Sequence, residues 1–280
     1  MKTKNRISLL IKAFSLFIIA AVVLSCKEDD ENMTEQEEVQ IANESSSSES
    51  VTDEELQAIE EEIALNPEGG RIAGTGCAIV TWNKSAKTVT LDFGDGCAGI
   101  YGRERSGKII VTYGGEFGDH LANRVITFEN YFVNNRQITG SIELRDFNTN
   151  EDGDLTATRK RIDLAIHFPD GNKFTSNGST TITWSEGGGD DDLMNDVLSI
   201  TGSYTGVSTR GRTVTHTILE PVVVSYACYA NGGFARIAGK KELRISGNRE
   251  RVRTVDFGDG TCDETITVTI NGREYTLTIA

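Results

Sequence analysis

The feature that most constrains this chain is the pattern of short apolar–polar alternations that runs from Gly70 to the C-terminus. Thr, Val and Ile dominate these stretches, Gly-rich turns separate them, and the whole chain has only 3 prolines. The segments predicted as strands are 78–83, 87–93, 107–114, 124–133, 137–146, 155–168, 173–185, 197–208, 212–227, 234–246, 250–257, 264–270 and 273–279. Side chains alternate between the faces of a strand, and no helical crossover separates these segments. The pattern therefore predicts an antiparallel meander.

The last two strands give a register that can be worked out by hand. Asn271-Gly272 is the sequence of a two-residue type I′ turn. The pairs that follow are Ile270 with Arg273, Val268 with Tyr275 and Ile266 with Leu277. Apolar residues thus meet on one face, as a half-buried hairpin requires. The fold class expected for 69–280 is all-β, a long-stranded meander forming a β-sandwich or strongly curved sheet, with a half-barrel as the next choice.

The N-terminus has the layout of a secretory signal over residues 1–25. Three basic residues precede an apolar run over 7–24, and only Ser25 separates the end of this run from Cys26. Val23-Leu24-Ser25-Cys26 resembles the bacterial lipobox, and this resemblance implies acylation (palmitate) on Cys26 and a membrane partner through that lipid. The alternatives are an ordinary signal peptide and an uncleaved anchor helix. Acyl chains on one cysteine would anchor the protein at about 0.8 kcal/mol per buried methylene.

The segment after Cys26 is acidic. Lys27-Glu28-Asp29-Asp30-Glu31 resembles the export signal of Bacteroidota surface lipoproteins, which implies an outer-membrane location on the cell surface. The alternative is a solvated linker on a periplasmic protein. Residues 26–51, which end in a Ser-rich run, are expected to form a flexible tether. Thr52 and Glu55 then have capping-box spacing, so a short helix and linker are predicted over 52–68.

The charge balance argues against nucleic acid as a partner. The chain has 28 Lys+Arg and 42 Asp+Glu, a net charge of −14, and removal of the four cations of the signal makes it −18. Such a chain is repelled by phosphate backbones. Basic residues do cluster in two places, and both clusters are expected to be solvated strand edges. They are Arg103, Arg105 and Lys108, and Arg249, Arg251 and Arg253.

The sequence Asp-Phe-Gly-Asp-Gly occurs twice, at 92–96 and 256–260, each time just before a cysteine. An internal duplication is one explanation. Each copy also has one cysteine upstream, and an exported protein favours disulfides. Four cysteines allow three pairings, and the parallel between the two copies favours Cys77–Cys97 and Cys228–Cys262. Each bridge should add about 2–4 kcal/mol.

These motifs carry a resemblance to a known group. The first copy, the segment Gly102–Val111 and the segment Thr127–Val133 together resemble an uncharacterised family of flavobacterial-type Bacteroidota surface lipoproteins with a repeated DFGDG-C motif. The terminal Gly258–Asp263 and Thr269–Gly272 also fit, so the similarity spans nearly all of 70–280. The resemblance implies the address and the β architecture but no activity. The pentapeptide also resembles a turn of PKD domains, without the strand that should follow.

Four aspartates of the two motif copies are candidate metal ligands. Asp92, Asp95, Asp256 and Asp259 lie in flexible turns, where oxygen ligands for Ca²⁺ are typically found. The favoured alternative is that they cap backbone N–H groups, and no other cofactor is expected.

The sequence contains few candidate catalytic residues. Three histidines are isolated in sequence, and neither a Gly-x-Ser-x-Gly elbow nor a His-Glu-x-x-His motif occurs. The leading hypothesis is a non-catalytic binding, adhesion or envelope-assembly module with an unknown protein or glycan ligand. The alternatives are a carrier that encloses a hydrophobic molecule in a curved sheet, and a carboxylate-based glycan hydrolase. Both tryptophans, Trp82 and Trp184, are expected to pack in the core.

Overall fold

The computed structural model describes residues 33–66, 77–99, 102–115, 121–188, 192–231 and 233–279. One long helix, α1 (Glu35–Leu65), precedes the strands, and a short helix, α2 (Tyr226–Ala230), lies between two of them. The strands are β1 (Ile79–Asn83), β2 (Thr88–Asp92), β3 (Cys97–Ala98), β4 (Glu104–Tyr113), β5 (Arg124–Val133), β6 (Arg136–Thr149), β7 (Leu155–His167), β8 (Lys173–Glu186), β9 (Val197–Val207), β10 (Thr213–Ser225), β11 (Arg236–Ile245), β12 (Arg251–Asp259), β13 (Thr265–Ile270) and β14 (Arg273–Thr278).

The strands form one open antiparallel meander. Thirteen strands follow one another in chain order across the sheet, and the two-residue β3 pairs with β4 beside that path. The predicted all-β meander is confirmed, and the strand bounds agree with the prediction to within three residues. The described residues form a single open sheet, so the strongly curved sheet is the predicted arrangement that is observed, and the sandwich is not.

The C-terminal hairpin has the predicted register. Ile270 pairs with Arg273, Val268 with Tyr275 and Ile266 with Leu277. Asn271 and Gly272 have φ values of 51° and 78°, as a type I′ turn requires. The face that carries Ile266, Val268 and Ile270 is buried.

Glycine bulges bend the sheet. Gly107 in β4 and Gly239 in β11 have φ values of 80° and 101°, and the strand register shifts beside each of them. A Cβ atom would lie 2.0 Å from the carbonyl oxygen of Asn130 at Gly107, and 2.2 Å from that of Pro221 at Gly239. Only glycine therefore fits, and bulges of this kind increase the twist and bend of the strand.

The sheet curls around α1. Every residue from Ser45 to Ile59 is buried, which a helix lying on a flat sheet could not achieve. Contacts to α1 come from both halves of the sheet, including Arg105 of β4 and Tyr275 of β14. Apolar residues of the helix, such as Ile41 and Ile59, complete the core that the inward strand residues form.

The bounds of α1 correct two predictions. The helix begins at Glu35 after a capping box of Thr34 and Glu37, so the flexible tether predicted to reach residue 51 is wrong from residue 35 onward. The predicted start at Thr52 is also wrong, because the Thr52 hydroxyl lies inside the helix and donates to the carbonyl oxygen of Ser48. The helix has 31 residues and is not short. Among the residues with described positions, no helix is both long and apolar enough to span a membrane.

Candidate functional site

Charged side chains fill the interface between α1 and the inner face of the sheet. Alternation along each strand places these cations inward, beside the apolar core residues, and the acidic residues of α1 meet them. We call this interface the ionic seam. Its members are Glu38, Glu49, Asp53 and Glu55 of α1 and Arg105, Arg159, Arg161, Arg236, Lys241 and Arg253 of the sheet.

Asp53 lies at the centre of the ionic seam. Its carboxylate oxygens accept from Arg159, with 2.5 Å between the Nη1 and Oδ1 atoms, and from Arg236, with 2.8 Å between Nε and Oδ2. Arg236 also reaches Glu49 at 3.0 Å, and Lys241 donates to the same carboxylate. Burial alone would raise the pKa of Asp53, but the charges of Arg236 and Arg159 outweigh it and lower this pKa. Burial opposes the charges of Arg236 and Lys241 at Glu49 as well, and the pKa of Glu49 is also lowered, so both carboxylates are ionised at neutral pH.

The two ends of the ionic seam correct the expectation of solvated basic edges. Arg105 is buried and donates twice to Glu55, at 2.8 and 3.0 Å. Arg253 is buried and donates to Glu38, and the half-buried Arg251 pairs with the same carboxylate at 2.8 Å. The prediction failed because these arginines pair with carboxylates of α1, and part of α1 had been predicted from its composition to be a flexible tether. Arg249 is exposed, as expected.

His216 is buried within the same interface. Its ring stacks on Tyr204 with 4.2 Å between centroids, and its Nδ1 lies 3.4 Å from the Ser45 hydroxyl. Burial, followed by the charge of Lys241, lowers the pKa of His216 well below its usual range. This histidine is therefore neutral and structural.

A cleft opens beside the C-terminal half of α1. Its empty space, open solvent included, is about 550 Å³. We call it the Trp184 cleft. It is lined by residues of α1, β6, β8 and the segments around them, including Gln57, Glu60, Leu121, Arg124, Phe147, Leu155, Trp184, Leu193, Asp196 and Tyr226.

The Trp184 cleft combines aromatic and polar groups. The rings of Trp184 and Phe147 lie 6.2 Å apart, and both are partly exposed. The Arg124 guanidinium lies 5.3 Å from the Phe147 centroid and donates to Glu60 at 2.7 Å. Trp184 donates through Nε1 to Asp196 at 3.3 Å. Trp184 does pack against the core, as predicted, but it also forms a wall of this cleft.

The two Asp-Phe-Gly-Asp-Gly motifs lie in separate parts of the sheet, and the first forms a turn after β2 whereas the second lies mostly within β12. Asp92 and Asp256 each accept a hydrogen bond at 2.9 Å from the N–H group two residues on. Each also pairs with a lysine on a neighbouring strand of the sheet, Lys108 of β4 for Asp92 and Lys240 of β11 for Asp256. In both copies one cysteine precedes the motif and one follows it. The paired lysine, however, follows the motif in the first copy and precedes it in the second.

The candidate metal ligands do not form one cluster. Asp95 and Asp259 are exposed, and Asp259 accepts from Thr261 within its own turn. Over the described ranges, no three His, Cys, Asp or Glu side chains are arranged to hold a metal ion. The hydrogen bonds account for Asp92, Asp256 and Asp259 as caps of backbone N–H groups, and calcium binding remains an untested prediction.

Both predicted disulfides are present. Cys77 is bonded to Cys97 and Cys228 to Cys262, with Cα–Cα distances of 6.0 and 5.5 Å. The first ties the segment before β1 to β3, and the second ties α2 to the segment after β12. Cys26, the predicted lipidation site, lies outside the described part of the chain. So does His120, one of the three histidines.

Comparison with known proteins gives no relative from which a function could be carried over: no family model, curated protein or solved structure matches this chain.

Proposed function

We propose that this chain is a lipid-anchored outer-membrane protein, exposed at the cell surface, that binds a glycan without transforming it. The observation that carries the binding proposal is the Trp184 cleft. It joins the partly exposed rings of Trp184 and Phe147 to an amide and to charged groups. Clefts of this kind, in which apolar walls carry a few polar groups, are the usual form of a small-ligand site.

A glycan fits this chemistry better than a purely apolar ligand does. Sugar rings present C–H faces that pack on aromatic side chains, and hydroxyl groups that bond to amide, guanidinium and carboxylate groups. The Arg124–Glu60 pair and Gln57 supply such groups along one wall. Glu60 and Arg124 form an ion pair, so the two groups can bind sugar hydroxyls side by side.

The inner face of the sheet argues against the carrier alternative. An enclosed hydrophobic ligand needs the concave surface that α1 covers, and that surface carries the charges of the ionic seam. Binding of a fluorescent fatty acid in the low micromolar range would favour the carrier. Release of reducing ends from any tested glycan would favour a hydrolase instead.

Tryptophan fluorescence tests the glycan proposal. Oligosaccharides, neutral and uronate-containing, are titrated into the purified protein and into two matched variants, Trp184→Phe and Trp82→Phe. Trp82 donates to the carbonyl oxygen of Asn66 and lies outside the cleft. We expect the fluorescence response to vanish in Trp184→Phe and to persist in Trp82→Phe. Calorimetry should show at least tenfold weaker binding in Arg124→Gln. Undiminished glycan affinity in both Trp184→Phe and Arg124→Gln would refute the proposal. Binding of a protein partner but of no glycan would point to the adhesion alternative.

The anchor is tested separately. Cys26→Ser should abolish incorporation of labelled palmitate, and replacing Lys27–Glu31 by alanines should protect the protein from protease added to whole cells. Only eight residues, 27–34, separate Cys26 from the start of α1 at Glu35. Palmitate incorporation that survives in Cys26→Ser would contradict the lipobox interpretation.

A further inference from the structure

The Trp184 cleft has an acidic lining. Among the described residues, two carboxylates, Glu60 and Asp196, line it together with one cation, Arg124, so negative charge is in excess by one. The Arg124 side chain is 5% exposed, whereas that of Glu60 is 24% exposed. A molecule that enters the cleft therefore meets the Glu60 carboxylate more readily than the guanidinium group.

The cleft also has an excess of hydrogen-bond acceptors. Two of its N–H donors are used within the protein, because Trp184 Nε1 donates to Asp196 and Gln57 Nε2 donates to Glu61 at 2.7 Å. Gln57 is 1% exposed, and its Oε1 atom has no hydrogen-bond partner in the described structure. The Glu61 carboxylate fixes the orientation of this amide, since only the amide NH₂ group can donate to it. The cleft wall thus holds an unused amide oxygen beside carboxylates that can accept further hydrogen bonds.

The carboxylates of the cleft act together on one of its walls. Burial raises the pKa of Tyr226, which lines the cleft. The charges of Asp53, Asp196 and Glu60 raise this pKa further, against the opposing charge of Arg159. A cation bound beside this hydroxyl group would be stabilised by the same carboxylates, and an anion would be repelled by them.

We propose that the Trp184 cleft selects glycans that carry a free amino group, whose ammonium binds Glu60 and the Gln57 amide oxygen while the sugar ring packs on Trp184. This inference rests on the proposed glycan function and names the class of glycan. An ammonium group donates three hydrogen bonds and accepts none, which matches the acceptors of the cleft, and it is attracted to aromatic faces. N-acetylation of the sugar removes the charge, and a uronate has a charge of the wrong sign.

Calorimetric titration of matched oligosaccharides into the purified full-length protein tests the inference. The ligands are the tetramers of glucosamine, N-acetylglucosamine and galacturonate, at low ionic strength and about pH 6, where amines are protonated. We expect the glucosamine tetramer to bind at least about tenfold more tightly than the N-acetylated tetramer, because it adds a charge-assisted hydrogen bond. The galacturonate tetramer should bind most weakly. This comparison needs no variant.

Glu60→Gln and Glu37→Gln form a matched pair of variants. Both carboxylates belong to α1 and pair with an arginine, and their side chains are 24% and 25% exposed. Glu37 lies about 35 Å further along the helix, and glutamine can replace it in the capping box. We expect Glu60→Gln to reduce the preference for the amino sugar to less than about threefold, since a neutral amide forms a weaker bond to ammonium. Glu37→Gln should retain the full preference.

The outcomes separate this inference from the function on which it rests. Equal affinities for the glucosamine and N-acetylglucosamine tetramers, or tighter binding of galacturonate, would overturn the selectivity and leave glycan binding standing. A preference that is unchanged in Glu60→Gln would overturn the assigned position of the ammonium. Binding of a lysine-rich peptide without binding of the glucosamine tetramer would replace the amino sugar by a protein ligand. If no oligosaccharide binds at all, the glycan function itself is wrong.

Discussion

Replacing Asp53 with asparagine tests whether α1 is held by the ionic seam. The substitution keeps the size of the side chain but removes the charge that faces Arg159 and Arg236. Both guanidinium groups are about 98% buried, so they cannot recover their hydration without opening the interface. Removing one partner of a buried pair costs about 3–5 kcal/mol, because a buried charge is left uncompensated. That is a large part of the 5–15 kcal/mol typical of a whole domain.

The assay is urea unfolding at pH 7, followed by circular dichroism and tryptophan fluorescence. Glu220→Gln is the matched control, since Glu220 pairs with Lys240 on the outer surface at 3.1 Å and its side chain is 58% exposed. Exposed pairs of this kind contribute little, so its unfolding midpoint should match that of wild type. The double variant Asp53→Asn with Arg159→Met should regain part of the lost stability, because it also removes the stranded cation. Equal midpoints for Asp53→Asn and Glu220→Gln would refute the reasoning.

Three further predictions concern pH, disulfides and backbone strain. Folding lowers the pKa of His216, so neutral His216 contributes to the stability of the folded state above about pH 6.5, the pKa of the unfolded state, and this contribution is lost as the pH falls. Urea titrations at several pH values should show about 2 kcal/mol of unfolding free energy lost by pH 5, and His216→Asn should remove this pH dependence. The double variant Cys228→Ala with Cys262→Ala opens a loop with a sequence separation of 34 and should lower the unfolding free energy by about 3–4 kcal/mol, whereas an unchanged midpoint would show that the bridge adds nothing. Gly239→Ala combines a positive φ with a clash and should cost more than about 2 kcal/mol; Gly260→Ala has the same φ of 101° but no neighbour within 4 Å, so equal losses would rule out the clash.

The sheet could be predicted from sequence because its signals are local. Alternation fixed each strand to within a few residues, and the Asn271-Gly272 turn fixed the register of the last hairpin. The disulfides followed from the parallel between the two motif copies. The two-residue β3 and the five-residue α2 carry too little periodicity to be found in this way.

The helix could not be predicted in full because its stability is not local. The run Ser45–Ser50 has poor helix propensity and no apolar stripe, which composition rules interpret as disorder. The available signal was on the sheet, where Arg159 and Arg161 occupy inward positions in the alternation that begins at Ala157. Buried cations require buried anions as partners, and the acidic residues within 49–55 could have supplied them. No local rule identifies which carboxylate meets which arginine.

The Trp184 cleft was missed for a similar reason. Its walls come from separate elements, such as Glu60 of α1, Phe147 of β6 and Trp184 of β8. These residues are far apart in sequence, and each has an ordinary role when it is considered alone. Only the curl of the sheet around α1 brings them together.

The ionic seam also explains how a helix with so weak an apolar stripe adopts one position inside the sheet. Hydrophobic contacts alone tolerate sliding, because one aliphatic side chain replaces another at little cost. A shift of α1 by one turn, about 5.4 Å, would separate Glu38, Asp53 and Glu55 from their cations at the same time. Each broken pair would leave a buried charge, so the penalties add along the helix. Serine at the centre fits this arrangement, because its small side chain leaves room for the long side chain of Lys241. Charge pairing thus sets the register of α1, and the apolar residues around it supply the packing.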